Sequence, residues 1–283
     1  MPKILLVEDD EQLARILMRF LNSEGYTIDH ASGQRDALRL FEENGFDCVL
    51  LDISLKDGNG YSVCGTIKAQ KDTPVIFITA SADEACTVDG FEIGADDYIG
   101  KPFGTRELLA RMKWLIETML SLSRIEADAV SFAKNTVFCR ELIEQSVDTV
   151  SVTAELKGVE IRAEINGEPE LIGDLRYTSE AIVNLLKNAI EDTPKGGTIT
   201  ITSSGNVISS NISIADTGEG IPETELPHIF ERFYRSSDYV KNGYGIGLAF
   251  AKKVISAQDG SLKAFNRNPH GAVFAIRFFK TPV

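Results

Sequence analysis

Carboxylates, a threonine and a lysine stand directly behind short apolar runs in the first half of this 283-residue chain. Glu8, Asp9 and Asp10 follow the run at 4–7, Asp52 follows 48–51, Thr79 and Ala80 follow 75–78, and Lys101 and Pro102 follow 97–99. Carboxylates gathered at one edge of a sheet repel one another unless a cation joins them, and hard oxygen ligands of this kind suit Mg²⁺. A lysine adds nothing as a metal ligand, but it is a good counter-charge for an incoming phosphoryl group. The second half carries a different set. The loop DTGEGI at 216–221 follows an apolar run, and GYGIGL at 243–248 opens a helical pattern. Glycines let a backbone approach phosphates closely, and a helix N-terminus adds stabilisation of a bound anion. Asn184 and Asn188 lie one helical turn apart on one face. Asn188 offers a neutral oxygen to a metal, and Asp216 offers a carboxylate to an exocyclic amine.

Positioning the first set requires strands at 4–7, 27–31, 48–51, 75–78 and 97–99, with helical periods between them at 11–23 and 35–43. Five strands alternating with helices predict a parallel sheet covered on both faces, whose ligand sits outside the carboxyl ends of the strands. The second set needs helices over 141–156 and 174–192, the latter with Asp174 as N-cap and a stop at Pro194 and the Gly196–Gly197 pair. Strands are predicted at 198–203, 207–215, 261–266 and 272–278, which together with the helices make an α/β sandwich. Between the halves, residues 106–130 lack Gly and Pro and space Leu108, Met112, Leu115, Met119 and Leu122 in steps of four and three. That spacing predicts one helix of about 37 Å with an apolar seam.

Composition bounds the rest. The length suits two domains. A net charge of −13 argues against a general nucleic-acid binder. Cys48, Cys64, Cys86 and Cys139 are scattered without metal-ligand spacing and read as reduced thiols of a cytoplasmic protein. No apolar run approaches the ~20 residues that span a bilayer, and the N-terminus does not read as a signal peptide.

Residues 1–119 resemble the receiver domains of two-component response regulators. The resemblance rests on VEDD at 7–10, LLDISLKDGNG at 50–60, ITA at 78–80 and DDYIGKPF at 96–103. It implies a flavodoxin-like (βα)5 fold with Asp52 as phosphoacceptor. Asp9 would ligate Mg²⁺ directly, Glu8 through water, and Asp52 and the Ser54 backbone carbonyl would complete the ligands. Thr79 and Lys101 would bind phosphoryl oxygens, and Tyr98 would be the switch aromatic. Lys56 departs from the proline usual there.

Residues 132–283 resemble the ATP-binding domain of sensor histidine kinases, with a Bergerat-type α/β sandwich. NLLKNA at 184–189, DTGEGI at 216–221, IFERFYR at 229–235 and GYGIGLAFAKK at 243–253 carry the likeness. It implies that Asp216 reads the adenine amine and Asn188 holds Mg²⁺. Asn184, Gly218, Gly220, Ile221, Phe230, Phe233, Gly243, Gly245, Gly247 and Leu248 would line the ATP site. Lys187 and either Arg232 or Arg235 would face phosphate, beneath a lid at 222–242. Glu191 departs from a position that is basic in many relatives.

Residues 120–131 resemble the end of a kinase dimerisation hairpin. Its first helix and phosphoacceptor histidine are missing, because His30, His228 and His270 all lie outside the expected helical context. The expected protein is therefore a phosphorelay hybrid whose ATP domain acts on a histidine hairpin, or on a cognate kinase or regulator, in trans. Alternatives are a truncated or engineered regulator–kinase chimera, a non-catalytic phospho-dependent binding module, or a serine kinase of the anti-sigma type. An uncovered seam would expose an apolar stripe and predicts a homodimer through residues 106–130.

Overall fold

The structure is a computed structural model and describes residues 1–79, 93–232, 234 and 245–280. Ala80, Cys86, Phe233, Arg235 and Gly243 lie outside the described residues. The chain divides into two compact units between Leu120 and Ser121.

In the first unit the strands are β1 (Lys3–Val7), β2 (Thr27–Ala31), β3 (Cys48–Asp52), β6 (Val75–Thr79) and β7 (Asp97–Gly100), with a two-residue ladder of β4 (Ser54–Leu55) and β5 (Gly58–Asn59). The main sheet runs β2-β1-β3-β6-β7 with every neighbour parallel. β3 and β6 are buried at every position, as expected of strands covered on both faces, which read as continuous apolar runs. Helices α1 (Glu11–Ser23), α2 (Gln34–Glu43) and α3 (Gly60–Gln70) connect them. α1 starts where predicted, because the Asp10 carboxylate accepts from Gln12 N and Leu13 N. The chain order reverses between β1 and β3, so the ends of these two strands form the crevice where such sheets bind ligands.

α4 spans Thr105–Glu126 and ends four residues before the predicted helix does. Asp128 has φ +50°, a left-handed conformation that no helix interior accommodates, and the Ala129 amide folds back onto the Arg124 carbonyl. The seam is also not free. Leu108, Met112, Leu115 and Leu122 are at most 1% exposed within the single chain. Four of the five residues of the expected apolar stripe, which motivated the homodimer through residues 106–130, are therefore buried, and Met119 is half-buried.

The second unit has a five-stranded sheet ordered β13-β14-β12-β11-β9, where β9 is Glu160–Ile165, β11 Thr198–Gly205, β12 Ser209–Ala215, β13 Gly260–Asn266 and β14 Ala272–Phe279. Only the β9–β11 pair is parallel. A separate antiparallel pair joins β8 (Asn135–Phe138) to β10 (Glu170–Gly173). Helices α5 (Cys139–Lys157), α6 (Leu175–Asp192) and α7 (Gly247–Ala257) share one apolar core with the sheet, including Leu142, Leu185, Phe250, Phe274 and Ile276. Ile125, in the last turn of α4, belongs to the same core. Asp174 caps α6 as predicted, accepting from Tyr177 N at 3.2 Å. β8, β9 and β10 were not anticipated. β9 lies at the sheet edge with no fully buried residue, so it shows no alternation to detect. No helix among the described residues is long and apolar enough to cross a membrane.

Candidate functional site

The carboxyl edge of the first sheet collects charged residues from the ends of β1, β3 and β7. Glu8 is 1% exposed and Asp52 7% exposed, while Asp9 is half-buried. Oxygen atoms of Glu8, Asp9 and Asp52 all lie within 4.8 Å of one another, close enough to share one cation. All three are hard carboxylate donors, so the donor set fits Mg²⁺. Lys101 closes the group: its Nζ donates to Asp52 Oδ2 at 2.6 Å and to Glu8 Oε2 at 2.8 Å. The Lys101 amide donates to the Thr79 carbonyl at 2.7 Å, which brings the ends of β6 and β7 together. Asp52 Oδ1 accepts from the Ser54 amide at 3.0 Å.

The electrostatics follow from burial and pairing. Burial raises the Glu8 carboxyl above its ordinary value and the Asp52 charge adds to this, against the lowering effect of Lys101. Burial alone would lower the Lys101 ammonium. Its hydrogen bonds to Asp52 and Glu8 outweigh that and hold it above the usual lysine range. Lys56 reaches back to the Asp9 carbonyl at 2.8 Å and ties the loop after β3 to the loop after β1. Tyr98 packs its ring 5.0 Å from Phe77. One contributor escaped the sequence reading: His30 Nε2 lies 2.9 Å from the Glu8 carbonyl oxygen. Its position beside Glu8 is a consequence of the β1–β2 register, which a single strand pattern does not reveal.

In the second unit the residues of the two glycine loops meet around α6. Asn184, 8% exposed, donates from Nδ2 to the Glu180 carbonyl. Its Oδ1 faces Gly247 at the start of α7, where an added Cβ would lie 2.9 Å from it. Any larger residue at 247 would push the Asn184 side chain aside. Asn188 donates to Asp192 Oδ2 at 3.0 Å. Asp216 is 1% exposed and accepts from Gly218 N at 2.8 Å and Ala272 N at 3.1 Å. Burial raises its carboxyl, opposed by these two amides, and the neighbouring Asp192 charge raises it further. Gly218, Gly220 and Ile221 lie on the loop after β12, and Gly245 and Leu248 flank the start of α7. The last carbonyls of α6, at Ile190 and Glu191, are satisfied by Lys157 Nζ at 2.6 Å each.

The phosphate-facing candidates separate. Lys187 is exposed on α6. Arg232 forms an ion pair with Glu126 in the last turn of α4. Phe230 packs against the core, edge-on to Phe274 at 6.4 Å, with Lys252 Nζ 5.3 Å from its ring centre. None of the three histidines lies on a helix: His30 lies within β2, His228 contacts Glu231 in a turn, and His270 contacts the Gly218 carbonyl. Cys48, Cys64 and Cys139 are buried free thiols.

Comparison with known proteins divides the chain in the same way. Residues 4–113 match the family described as response regulator receiver domain, and residues 173–282 match the histidine kinase-, DNA gyrase B- and HSP90-like ATPase. The transcriptional regulatory protein SrrA of Staphylococcus aureus is 41% identical over 114 residues, which are 40% of this chain and 47% of SrrA. The chain thus spans about half the length of the curated relatives it matches. Among solved structures, full-length ShkA in complex with AMPPNP is 26% identical with a TM-score of 0.56, covering 63% of this chain and 38% of that one. The Acinetobacter baumannii histidine kinase AdeS, 18% identical with a TM-score of 0.52 over 70% of this chain and 93% of its own, shares the fold. The chain carries a response-regulator receiver domain followed by an ATPase domain of the histidine kinase-like class, the two kinds of module used in two-component signalling.

Proposed function

We propose that this protein is a phosphorelay component in which Asp52 accepts a phosphoryl group and the second unit binds Mg²⁺–ATP. The proposed domains are 1–119, 120–131 and 132–283. The observation that carries the reading is the placement of Lys101 Nζ within hydrogen-bond distance of both Asp52 and Glu8, beside a carboxylate triad sized for one cation. Glu8, Asp9, Asp52 and the Ser54 carbonyl would hold Mg²⁺, which when bound neutralises charge on a transferring phosphoryl group. An Asp52 oxygen forms the new P–O bond while the donor's leaving group departs with the electrons of the old one. Lys101 and Thr79 bind the phosphoryl oxygens, and Tyr98 responds to the modified site.

In the second unit, Asp216 accepts from the adenine amine, Asn188 supplies a metal ligand, and Asn184 holds the start of α7. Gly218, Gly220, Ile221, Phe230, Phe233, Gly243, Gly245, Gly247 and Leu248 form the walls, with Lys187 and Arg235 toward phosphate. The phosphoacceptor histidine comes from a hairpin in trans, in the cytoplasm. A homodimer through residues 106–130 belongs to this reading, with the half-buried Met119 and the exposed Leu120 as the apolar positions open to a partner. The Glu126–Arg232 ion pair favours a second reading, in which the ATP site is regulatory and its Arg232 is withheld from phosphate.

Labelled acetyl phosphate with Mg²⁺ tests the acceptor: wild type takes up label and Asp52→Ala does not, and equal labelling of both would remove Asp52 from the role. Labelled ATP, with and without an isolated histidine hairpin, separates the two readings. Label on the hairpin supports transfer in trans, and ATP binding without any transfer supports the regulatory site.

A further inference from the structure

One turn reaches the loop of residues 216–221 at three points. Asn266 is the last residue of β13, and Ala272 is the first of β14. Asn266 Oδ1 accepts from the Ile221 amide at 2.8 Å, and its Nδ2 donates to the Ile221 carbonyl at 2.7 Å. His270 Nδ1 lies 3.3 Å from the Gly218 carbonyl. Ala272 N donates to the Asp216 carboxylate at 3.1 Å, and Asp216 N donates back to the Ala272 carbonyl at 3.0 Å. Gly271, with φ +103°, brings the turn so near that a Cβ there would sit 2.1 Å from the Asp216 carbonyl oxygen. The Arg267 amide donates to the Gly271 carbonyl at 2.9 Å and closes the turn on itself.

The geometry of Asn266 is that of an additional ladder rung. A side-chain amide presents one acceptor and one donor in the spacing of a peptide group, and here both are used on the same residue, 45 positions away. The β13–β14 pairing ends at Asn266 and Ala272, and this rung extends its hold across to the loop that starts at Asp216. A glycine-rich loop without such a hold samples many backbone conformations, and its carboxylate would be aimed at a base edge only part of the time.

We propose that Asn266, with His270 as second anchor, is the positioning residue of the nucleotide-binding loop: it fixes the backbone from Gly218 to Ile221 so that Asp216 stays aimed at the exocyclic amine of the base. The proposal rests on the reading of Asp216 as the adenine-recognising group. Asn266 touches no nucleotide itself and acts through Ile221.

Equilibrium titration of the full chain with Mg²⁺–ATP and with Mg²⁺–inosine triphosphate tests it, because inosine carries no 6-amino group. Wild type binds ATP more tightly than inosine triphosphate. Asn266→Ala weakens ATP about fivefold, the scale of two partly solvated neutral hydrogen bonds, and narrows the preference over inosine triphosphate by about the same factor. Asn266→Asp keeps the acceptor for Ile221 N but loses the donor to Ile221 O, and it falls between the two. His270→Ala shows a smaller loss in the same direction. A purely structural role would lower the unfolding midpoint and reduce binding of both nucleotides alike, leaving their ratio at the wild-type value. A wild-type preference fully retained in Asn266→Ala overturns the positioning role and leaves the ATP site standing. A wild type that binds neither nucleotide, or both equally, overturns the Asp216 reading and this inference with it.

Discussion

Lys101→Met replaces the ammonium between two buried carboxylates with an uncharged side chain of similar length. Glu8 is 1% exposed and Asp52 7% exposed, so neither can recover full hydration once Lys101 Nζ, at 2.8 and 2.6 Å, is gone. Removing one partner of a buried pair costs about 3–5 kcal/mol. The Lys101 side chain is 21% exposed, which places the expected loss at the lower end, about 3 kcal/mol. With a urea dependence of about 2 kcal/mol per molar, the receiver's midpoint drops by roughly 1.5 M. Trp114 is the chain's one tryptophan and lies in the first unit, so its fluorescence reports this transition. The pH dependence has a definite sign. Without Lys101, burial and the Asp52 charge raise Glu8 still further above its usual value. A carboxyl raised in the folded state costs stability as pH climbs through the gap between its unfolded and folded values. The deficit of Lys101→Met is therefore largest at neutral pH and shrinks below about pH 4.3, the unfolded glutamate value. If Glu8, Asp9 and Asp52 hold Mg²⁺ as proposed, the cation replaces the lost charge, and millimolar Mg²⁺ recovers more stability in the variant than in wild type. A variant that unfolds at the wild-type urea midpoint at pH 7 in EDTA would refute the buried-pair argument. A variant equally indifferent to Mg²⁺ would remove the cation site.

Three further outcomes follow from specific contacts. Gly271→Ala forces a side chain into left-handed backbone and against the Asp216 carbonyl, 2.1 Å from the added Cβ; chemical denaturation should show the ATPase unit losing about 2 kcal/mol or more. Asp96 is buried, pairs with Lys68 at 2.8 Å and is pushed up to about 6 by burial. Because the folded state keeps its proton where the unfolded state has lost it, stability falls as pH rises from about 4 to 6, by up to about 3 kcal/mol; Asp96→Asn should flatten that slope in urea titrations, and an unchanged slope would assign it to other groups. Glu126→Gln removes the charge partner of Arg232; if the pair withholds Arg232 from phosphate, ATP affinity rises while ADP affinity changes little, and identical nucleotide binding would show that the pair is only structural.

Much of the receiver was legible because its signals are local. Each buried parallel strand is a short apolar run, the site residues Glu8, Asp9, Asp52, Thr79 and Lys101 stand directly behind such runs, and the sheet order then brings those ends to one crevice. The α6 cap, Asp174, was equally readable, since a cap contacts residues two or three positions away. What the sequence left open depends on residues distant along the chain. Arg232 reads as a phosphate ligand from its motif, yet it pairs with Glu126, more than a hundred residues earlier. Asn266 looks like an ordinary strand end until the register of β13 and β14 sets it against Ile221. β9 carries no buried alternation because the edge of a sheet demands none. The apolar seam of α4 was correctly seen as apolar, but periodicity says only that such a face needs cover, and the tertiary structure buries Leu108, Met112, Leu115 and Leu122 while leaving Met119 half-buried. By itself the sequence determined which residue types stand at each strand end and loop, because period and local hydrogen bonding are written in neighbouring positions. The tertiary structure alone decided which of those groups meet, because pairing across sheets and turns is set by packing that no local pattern encodes.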